Sequence, residues 1–232
     1  MEKVYYDTRL LLEIACFNLE SAIIAEEAGA DRIELCESYE VGGLTPSEDL
    51  IKETRTRVQI PLNVMIRPRE GDFIYSEAEI ETMESAILFC KKQGVDGVVF
   101  GCLTIEQKVD TRICERLMRL ARPMSVTFHR AIDLCVDMKK ACEDLIQMGT
   151  DRVLTSGRGA NAEEGLSELK ILQSLFGKKI RIMPGGGLRS FNIGLLISSR
   201  CLEYHTSALI HGLVANTEEI KIIKGILNGQ DN

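Results

Sequence analysis

The sequence predicts an α/β protein with the architecture of a TIM (β/α)8 barrel, formed by a single domain over residues 1–232. A strand pattern followed by a helix pattern recurs eight times, at about 29 residues per unit. A Gly-x-Asp turn recurs where helices lead into strands. No Pro/Ser-rich linker, charge block or low-complexity tract divides the chain. An open, doubly wound parallel sheet is the alternative architecture.

The predicted strands are short apolar runs whose polar residues fall mainly near their C-terminal ends. They span residues 10–15, 32–36, 62–67, 97–100, 124–129, 151–155, 179–183 and 201–206. Because a parallel barrel brings the C-terminal ends of all strands to one mouth, these polar residues are expected to converge.

The predicted helices lie between the strands, and the chemistry at their ends supports the assignment. They span residues 18–28, 46–57, 77–93, 110–120, 136–148, 162–176, 189–199 and 216–227. Pro46 is expected at the first position of the second helix, with the carboxylate of Glu48 in its first turn. Gly29, Gly94 and Gly149 are expected to end helices, each followed two residues later by Asp.

The composition is that of a globular protein, with 45% hydrophobic residues, 27% charged residues and a net charge of −7. The excess of acidic residues argues against nucleic acid or an anionic membrane surface as a partner. The sequence contains no apolar stretch of roughly 18 residues and no signal-peptide pattern, which predicts a cytoplasmic protein. A homo-oligomer is left open.

Several chemistry-bearing residues stand near predicted strand ends. They are Glu13, Glu34, Arg67, Thr127, His129, Thr155, Glu203 and His205. The two-residue period of a strand places Met65 with Arg67 on one face, and likewise Glu203 with His205. These faces are predicted to point into the barrel.

Two interpretations of this cluster are open. Its polar residues could satisfy one another, with Glu13 or Glu34 paired to Arg67. The functional interpretation is favoured, because carboxylates, an arginine and two histidines at one mouth are costly to bury without a ligand. Glu13, Glu34, Arg67, His129 and His205 are therefore the candidate catalytic residues, with a histidine and a glutamate moving protons.

A second candidate site is a glycine-rich loop after the seventh strand, where Gly185, Gly186 and Gly187 follow Pro184. Free backbone N–H groups at the start of a helix suit an anion such as phosphate, and Ser156 and Gly157 are expected to complete the site. A tight turn required only for packing is the alternative. Residues 157–162 fit a dinucleotide fingerprint loosely, but no acidic residue ends the next strand, so NAD is not expected.

Eight cysteines are scattered through apolar segments, and most are predicted to be buried thiols. No metal-binding spacing such as Cys-x-x-Cys occurs, so zinc is not expected. Cys16 and Cys36 follow the first two strands and would be neighbours at a barrel mouth. Two soft thiolates there could hold Cu(I).

Nine motifs occur in an order that resembles the CutC family of copper homeostasis proteins. They are LEIAC at 12–16, ADRIELC at 30–36, GGLTPS at 42–47, VMIRPR at 64–69, GDFIYS at 71–76, DGVVFG at 96–101, TFHRA at 127–131, RVLTSG at 152–157 and MPGGG at 183–187. The resemblance extends over residues 10–208.

The resemblance implies a cytosolic TIM barrel that acts in copper homeostasis and binds Cu(I) through cysteines at positions 16 and 36. The alternative function is that of an enzyme acting on a small anionic, phosphorylated metabolite at the mouth. Whether the protein is an enzyme is left open. The expected ligands are thus a copper ion or a small anion.

Overall fold

Eight parallel strands form one sheet in the computed structural model, which describes residues 9–229. The strands are β1 (Leu11–Cys16), β2 (Arg32–Leu35), β3 (Leu62–Met65), β4 (Gly97–Phe100), β5 (Ser125–Phe128), β6 (Arg152–Thr155), β7 (Arg181–Pro184) and β8 (Glu203–Thr206). They match the predicted runs, although β3 ends before Arg67 and β5 ends before His129. These side chains therefore extend from the loops just above the strands.

Pairing of the first strand with the last distinguishes a barrel from an open sheet. β1 forms parallel ladders with both β2 and β8, and Glu13 is the register partner of His205. β7 and β8 lie against one another, but within residues 9–229 no hydrogen-bonded ladder joins them. The TIM-barrel prediction is confirmed, and the doubly wound alternative is wrong.

Within residues 9–229, eight α-helices surround the strands. They are α1 (Leu19–Glu27), α2 (Glu48–Arg57), α3 (Glu77–Lys92), α4 (Thr111–Ala121), α5 (Met138–Met148), α6 (Leu166–Phe176), α7 (Ile193–Ile197) and α8 (Thr217–Leu227). None of the helices in the described part of the chain is long and apolar enough to cross a membrane.

Four helices begin two or more residues later than predicted: α2, α5, α6 and α7. α2 begins at Glu48 rather than Pro46, because the Ser47 hydroxyl accepts a hydrogen bond from the Leu50 N–H and caps the helix. α7 begins at Ile193 and has five residues, whereas a helix over 189–199 was predicted. The residues before it form a turn in which the N–H and hydroxyl of Ser190 donate to the Glu219 carboxylate.

The Gly-x-Asp turns form three equivalent corners at the N-terminal end of the barrel. In each, a glycine with positive φ precedes an aspartate whose carboxylate accepts the N–H of a residue in the preceding strand. The pairs are Asp31 with Leu12, Asp96 with Leu62, and Asp151 with Val126, and a basic side chain contacts each carboxylate. These corners tie β1 to β2, β3 to β4, and β5 to β6.

The fourth corner, before β8, departs from this pattern. Arg200 takes the positive-φ position there, and Leu202 stands where the other corners have aspartate. A leucine side chain cannot accept a hydrogen bond, so β7 and β8 lack this connection.

The barrel interior below the mouth is a charged layer. Arg32 donates to the carboxylates of Glu13 and Glu203, and Arg152 donates to Glu203 at 3.0 Å. Sequence reasoning missed Arg32, although it stands two residues before Glu34 on the same strand face. The apolar core lies outside the strands, where residues such as Leu12, Ile14 and Ile33 are fully buried against the helices.

Candidate functional site

A cavity of about 330 Å³ opens at the C-terminal mouth of the barrel. Four of the five candidate catalytic residues line it: Glu34, Arg67, His129 and His205. Glu13 lies one layer deeper, with Oε1 3.8 Å from Nε2 of His205. The short β-strands of the barrel aim these side chains at one space, although they come from four different strands and loops.

Glu34 and His205 form a buried pair in the cavity wall, with Oε2 of Glu34 2.8 Å from Nε2 of His205. Burial alone would lower the pKa of His205, but the charge and hydrogen bond of Glu34 outweigh burial and raise it. His205 therefore keeps a proton to a higher pH than an isolated histidine does.

Glu13 is a deeply buried carboxylate that stays ionised. Burial acts to raise its pKa, but Arg32 and His205 outweigh burial and hold the pKa below its ordinary value. Oε2 of Glu13 accepts from Arg32 and from Nδ2 of Asn63, whereas Oε1 has no hydrogen-bond partner in the described structure.

His129 is a neutral imidazole at the opposite side of the cavity. Burial and the nearby charge of Arg67 lower its pKa to about 3. Its Nδ1 accepts a hydrogen bond from the Ala131 N–H at 3.2 Å, which assigns the ring proton to Nε2. That Nε2–H group is buried and has no acceptor among the described residues.

Arg67 is held by main-chain carbonyl groups instead of carboxylates. It donates to Val41 at 2.7 Å, Gly43 at 3.2 Å and Gly71 at 3.1 Å, and its guanidinium stacks on the ring of Phe73. Its Nε has no partner in the described chain. The interpretation that pairs Arg67 with Glu13 or Glu34 is therefore wrong, and no carboxylate within residues 9–229 forms an ion pair with Arg67.

Of the three glycines in the loop predicted to bind an anion, two line the cavity and one does not. Gly186 and Gly187 line it, and within the described chain no acceptor contacts either N–H group. Gly185 donates its N–H to the Thr155 carbonyl at 3.0 Å. The expected contribution of a helix N-terminus is absent, because α7 begins six residues after Gly187.

Ser156 and Gly157 face a carboxylate of the chain itself. Asp133 accepts hydrogen bonds from the N–H and hydroxyl of Ser156 and from the hydroxyl of Thr155, which in turn accepts the Gly157 N–H. Sequence reasoning missed Asp133, which lies in a short 3-10 helix after β5. Asp133 therefore accepts the hydrogen bonds of Ser156 that were predicted to bind an external anion.

Two arginines, Arg130 and Arg189, stand at the mouth beside the glycine loop. Arg130 donates to Asp133 at 2.9 Å and to the Ser156 hydroxyl at 3.0 Å. Among the residues that the structure describes, Arg189 donates only to neutral oxygens, including the Thr206 hydroxyl at 3.0 Å. Arg130 begins the 3-10 helix that follows β5, whereas Arg189, which sequence reasoning missed, lies in the loop between β7 and α7.

The two predicted copper ligands have different surroundings. Cys36 lines the cavity and packs with Met65, whereas Cys16 lies in the apolar core with Leu12 and Ile14. Strand alternation accounts for this, because Cys16 is an even-numbered residue of β1 and Glu13 and Ala15 face inward. Burial and the charge of Glu34 raise the pKa of both thiols.

Comparison with known proteins finds relatives over most of the chain. The family model described as CutC family matches residues 10–210. A human protein named copper homeostasis protein cutC homolog is 46% identical over 199 residues, covering 85% of this chain and 73% of its own length. A family protein CutC from Chromobacterium violaceum is 45% identical, covering 85% of this chain and 81% of its own.

Solved structures agree with this relationship. The crystal structure of a CutC protein from Streptococcus agalactiae has a TM-score of 0.82 and 32% identity, covering 85% of this chain and 98% of that chain. Phosphoribosyl anthranilate isomerase from Thermotoga maritima has a TM-score of 0.63 at 13% identity, covering 95% and 99% of the two chains. That second likeness concerns the fold alone.

Proposed function

Because the chain belongs to the CutC family, we propose that it acts in copper homeostasis, the role for which its human and mouse relatives are named. The molecular function that the geometry supports best is the binding and conversion of a small anionic, phosphorylated metabolite in the mouth cavity. The observation that carries this proposal is the charge of the cavity wall.

Three arginines and one glutamate line the cavity of a protein whose net charge is −7. No carboxylate of the described chain contacts Arg67 or Arg189, and the one glutamate, Glu34, is bonded to His205. Guanidinium groups form charge-assisted hydrogen bonds with phosphate and carboxylate oxygens. The wall therefore attracts a small anion, and the free N–H groups of Gly186 and Gly187 add neutral donors.

The groups around such an anion suit proton transfer. The Glu34–His205 pair holds a proton on one side of the cavity, and His129 presents an uncharged N–H donor on the other. A neutral donor of this kind stabilises negative charge that develops on an oxygen without itself losing a proton. The proposed enzyme thus combines an anion site with an acid–base pair.

Isothermal titration with inorganic phosphate and a panel of small phosphate esters tests the anion site. Arg130→Gln and Arg189→Gln should each weaken binding about tenfold or more, because a charge-assisted hydrogen bond contributes about 1.5–3 kcal/mol. The matched control is Arg112→Gln on the exposed surface of α4, which should bind as the wild type does. The proposal is contradicted if the wild type binds none of these anions. It is also contradicted if the folded Arg130→Gln and Arg189→Gln variants bind them as tightly as the wild type does.

A second candidate function is Cu(I) binding, which the sulfur atoms at the cavity favour. Cys36 and Met65 pack together in its wall, and thiolate and thioether are the donors that select Cu(I). The pair of Cys16 and Cys36 fits this role less well, because Cys16 packs in the apolar core whereas Cys36 lines the cavity. We propose Cys36 as the main thiolate ligand.

Measurement of Cu(I) stoichiometry on single variants tests the copper site. Cys36→Ser should abolish tight binding, whereas Cys90→Ser, which removes a buried thiol of α3, should leave the stoichiometry unchanged. Cys16→Ser shows whether the second predicted ligand contributes. Full stoichiometric binding by Cys36→Ser would refute the proposed cavity site.

We propose that the protein acts in the cytoplasm. All eight cysteines are free thiols, which suits a reducing compartment. Fractionation of cells that express the tagged protein tests this placement, and recovery of the protein with secreted material would contradict it.

A further inference from the structure

Two buried carboxylate oxygens, one in the cavity wall and one in the layer below it, have no hydrogen-bond partner among the described residues. Oε1 of Glu13 and Oε1 of Glu34 are both inaccessible to solvent and accept no hydrogen bond from any described residue. The residues themselves are 1% and 2% exposed. A buried oxygen that lacks a donor or cation is costly, so this arrangement calls for a positively charged occupant.

An imidazole nitrogen completes the group. One ligand atom from each of Glu13, Glu34 and His205 can be chosen so that the three atoms lie within 4.8 Å of one another. Nε2 of His205 is 2.8 Å from Oε2 of Glu34 and 3.8 Å from Oε1 of Glu13. A metal ion with bonds of about 2.0–2.2 Å holds neighbouring ligand atoms roughly 3 Å apart, so side-chain adjustments of about 1 Å bring all three atoms into contact with one ion.

We propose that Glu13, Glu34 and His205 form a binding site for one divalent first-row cation such as Mn²⁺ or Zn²⁺. The proposal goes beyond the anion and Cu(I) functions, and the ion takes the place of the proton that Glu34 and His205 otherwise share. Two carboxylate oxygens and one imidazole are hard to borderline donors, which suit such ions and not Cu(I). Arg32 binds the other oxygen of Glu13 and so leaves Oε1 available.

The site is closed on the protein side and open to the cavity. Asn63 donates to Glu13 Oε2 at 3.2 Å and, together with Arg32, fixes the orientation of that carboxylate. Glu34 and His205 themselves line the cavity. Three protein ligands leave coordination positions on that side for water or for an oxygen of a bound molecule, which is the arrangement of catalytic metal sites.

Equilibrium dialysis of the chelator-treated protein against Mn²⁺ alone, and separately against Zn²⁺ alone, tests the proposal. The wild type should retain one ion per chain. Glu34→Gln and His205→Gln should each weaken binding about tenfold or more, since even residues that only orient ligands change metal affinity by about 10–100-fold. The matched controls are Glu219→Gln, a buried glutamate on α8, and His211→Gln, an exposed histidine, and both should bind as the wild type does.

Circular dichroism shows whether each variant folds. If one does not, a second measurement on the wild type alone still tests the site. Anomalous diffraction from wild-type crystals soaked in Mn²⁺ locates the ion directly. A peak between the two carboxylates and His205 supports the site. Uptake of neither ion by the wild type, a peak elsewhere in the chain, or unchanged affinity in folded Glu34→Gln and His205→Gln variants overturns it.

Discussion

Replacement of His129 by Asn should remove one component of the acid sensitivity of this protein. His129 caps the short 3-10 helix that follows β5, because its Nδ1 accepts the Ala131 N–H. Asparagine is a strong helix-capping residue, so the variant keeps an acceptor at this position while losing the titratable ring. The wild type therefore contains a buried imidazole that is hard to protonate, and the variant does not.

The magnitude follows from the pKa of His129 in the folded and unfolded chains. It is about 3 in the folded protein, because burial and Arg67 disfavour the charged ring, against an ordinary value of 6.5. Between these two pKa values the unfolded chain binds a proton that the native protein does not, so stability falls as the pH decreases. The unfolding free energy of the wild type should drop by about 2 kcal/mol more than that of the variant between pH 7.5 and pH 5.

Urea unfolding followed by circular dichroism at a series of pH values measures this difference. At pH 7.5 the ring is neutral in both states, so that measurement gives the baseline effect of the substitution itself. Below pH 6.5 the two stability curves should converge or cross in favour of the variant. Curves that stay parallel down to pH 5 would show that His129 is protonated as easily in the folded protein as in the unfolded chain.

Two further predictions concern stability. Arg32→Met should lower the unfolding free energy by about 3–5 kcal/mol, because it leaves two buried carboxylates without their shared cation; a loss under about 1 kcal/mol in urea unfolding would show that the other arginines suffice. Gly157→Ala should lower the melting temperature sharply, since its φ is +67° and a Cβ would collide with the Gly165 carbonyl oxygen. Gly194→Ala in α7, where a Cβ would meet nothing within 4 Å, should raise it or leave it unchanged, and equal losses in both variants would contradict this account.

The repeat of strands and helices could be predicted from the sequence because each strand–helix unit of a parallel barrel can be identified from its own residues. Each unit carries its own apolar strand, amphipathic helix and turn residues, so the pattern does not depend on distant contacts. The convergence of Glu34, Arg67, His129 and His205 followed from topology, since every strand of a parallel barrel ends at the same mouth.

The details that the sequence did not reveal depend on contacts between distant segments. Asp133 satisfies the donors of Ser156, and Glu219 satisfies Ser190 before α7, which shortens that helix. Neither carboxylate is marked by its local sequence. The orientation of Cys16 was predicted from its place after a strand, but it is the last residue of β1, where strand alternation turns its side chain away from the cavity.

The four corners at the closed end of the barrel determine where the structure opens most easily. Three of them anchor neighbouring strands through an aspartate, and the fourth has neither that anchor nor a ladder between β7 and β8 within the described chain. Separation of β7 from β8 therefore breaks fewer hydrogen bonds than separation of the other neighbouring strands, so amide hydrogen exchange should be faster in these two strands than in the other six. Gly186 follows β7, His205 belongs to β8, and both line the cavity, so any separation of these two strands would change the width of the cavity.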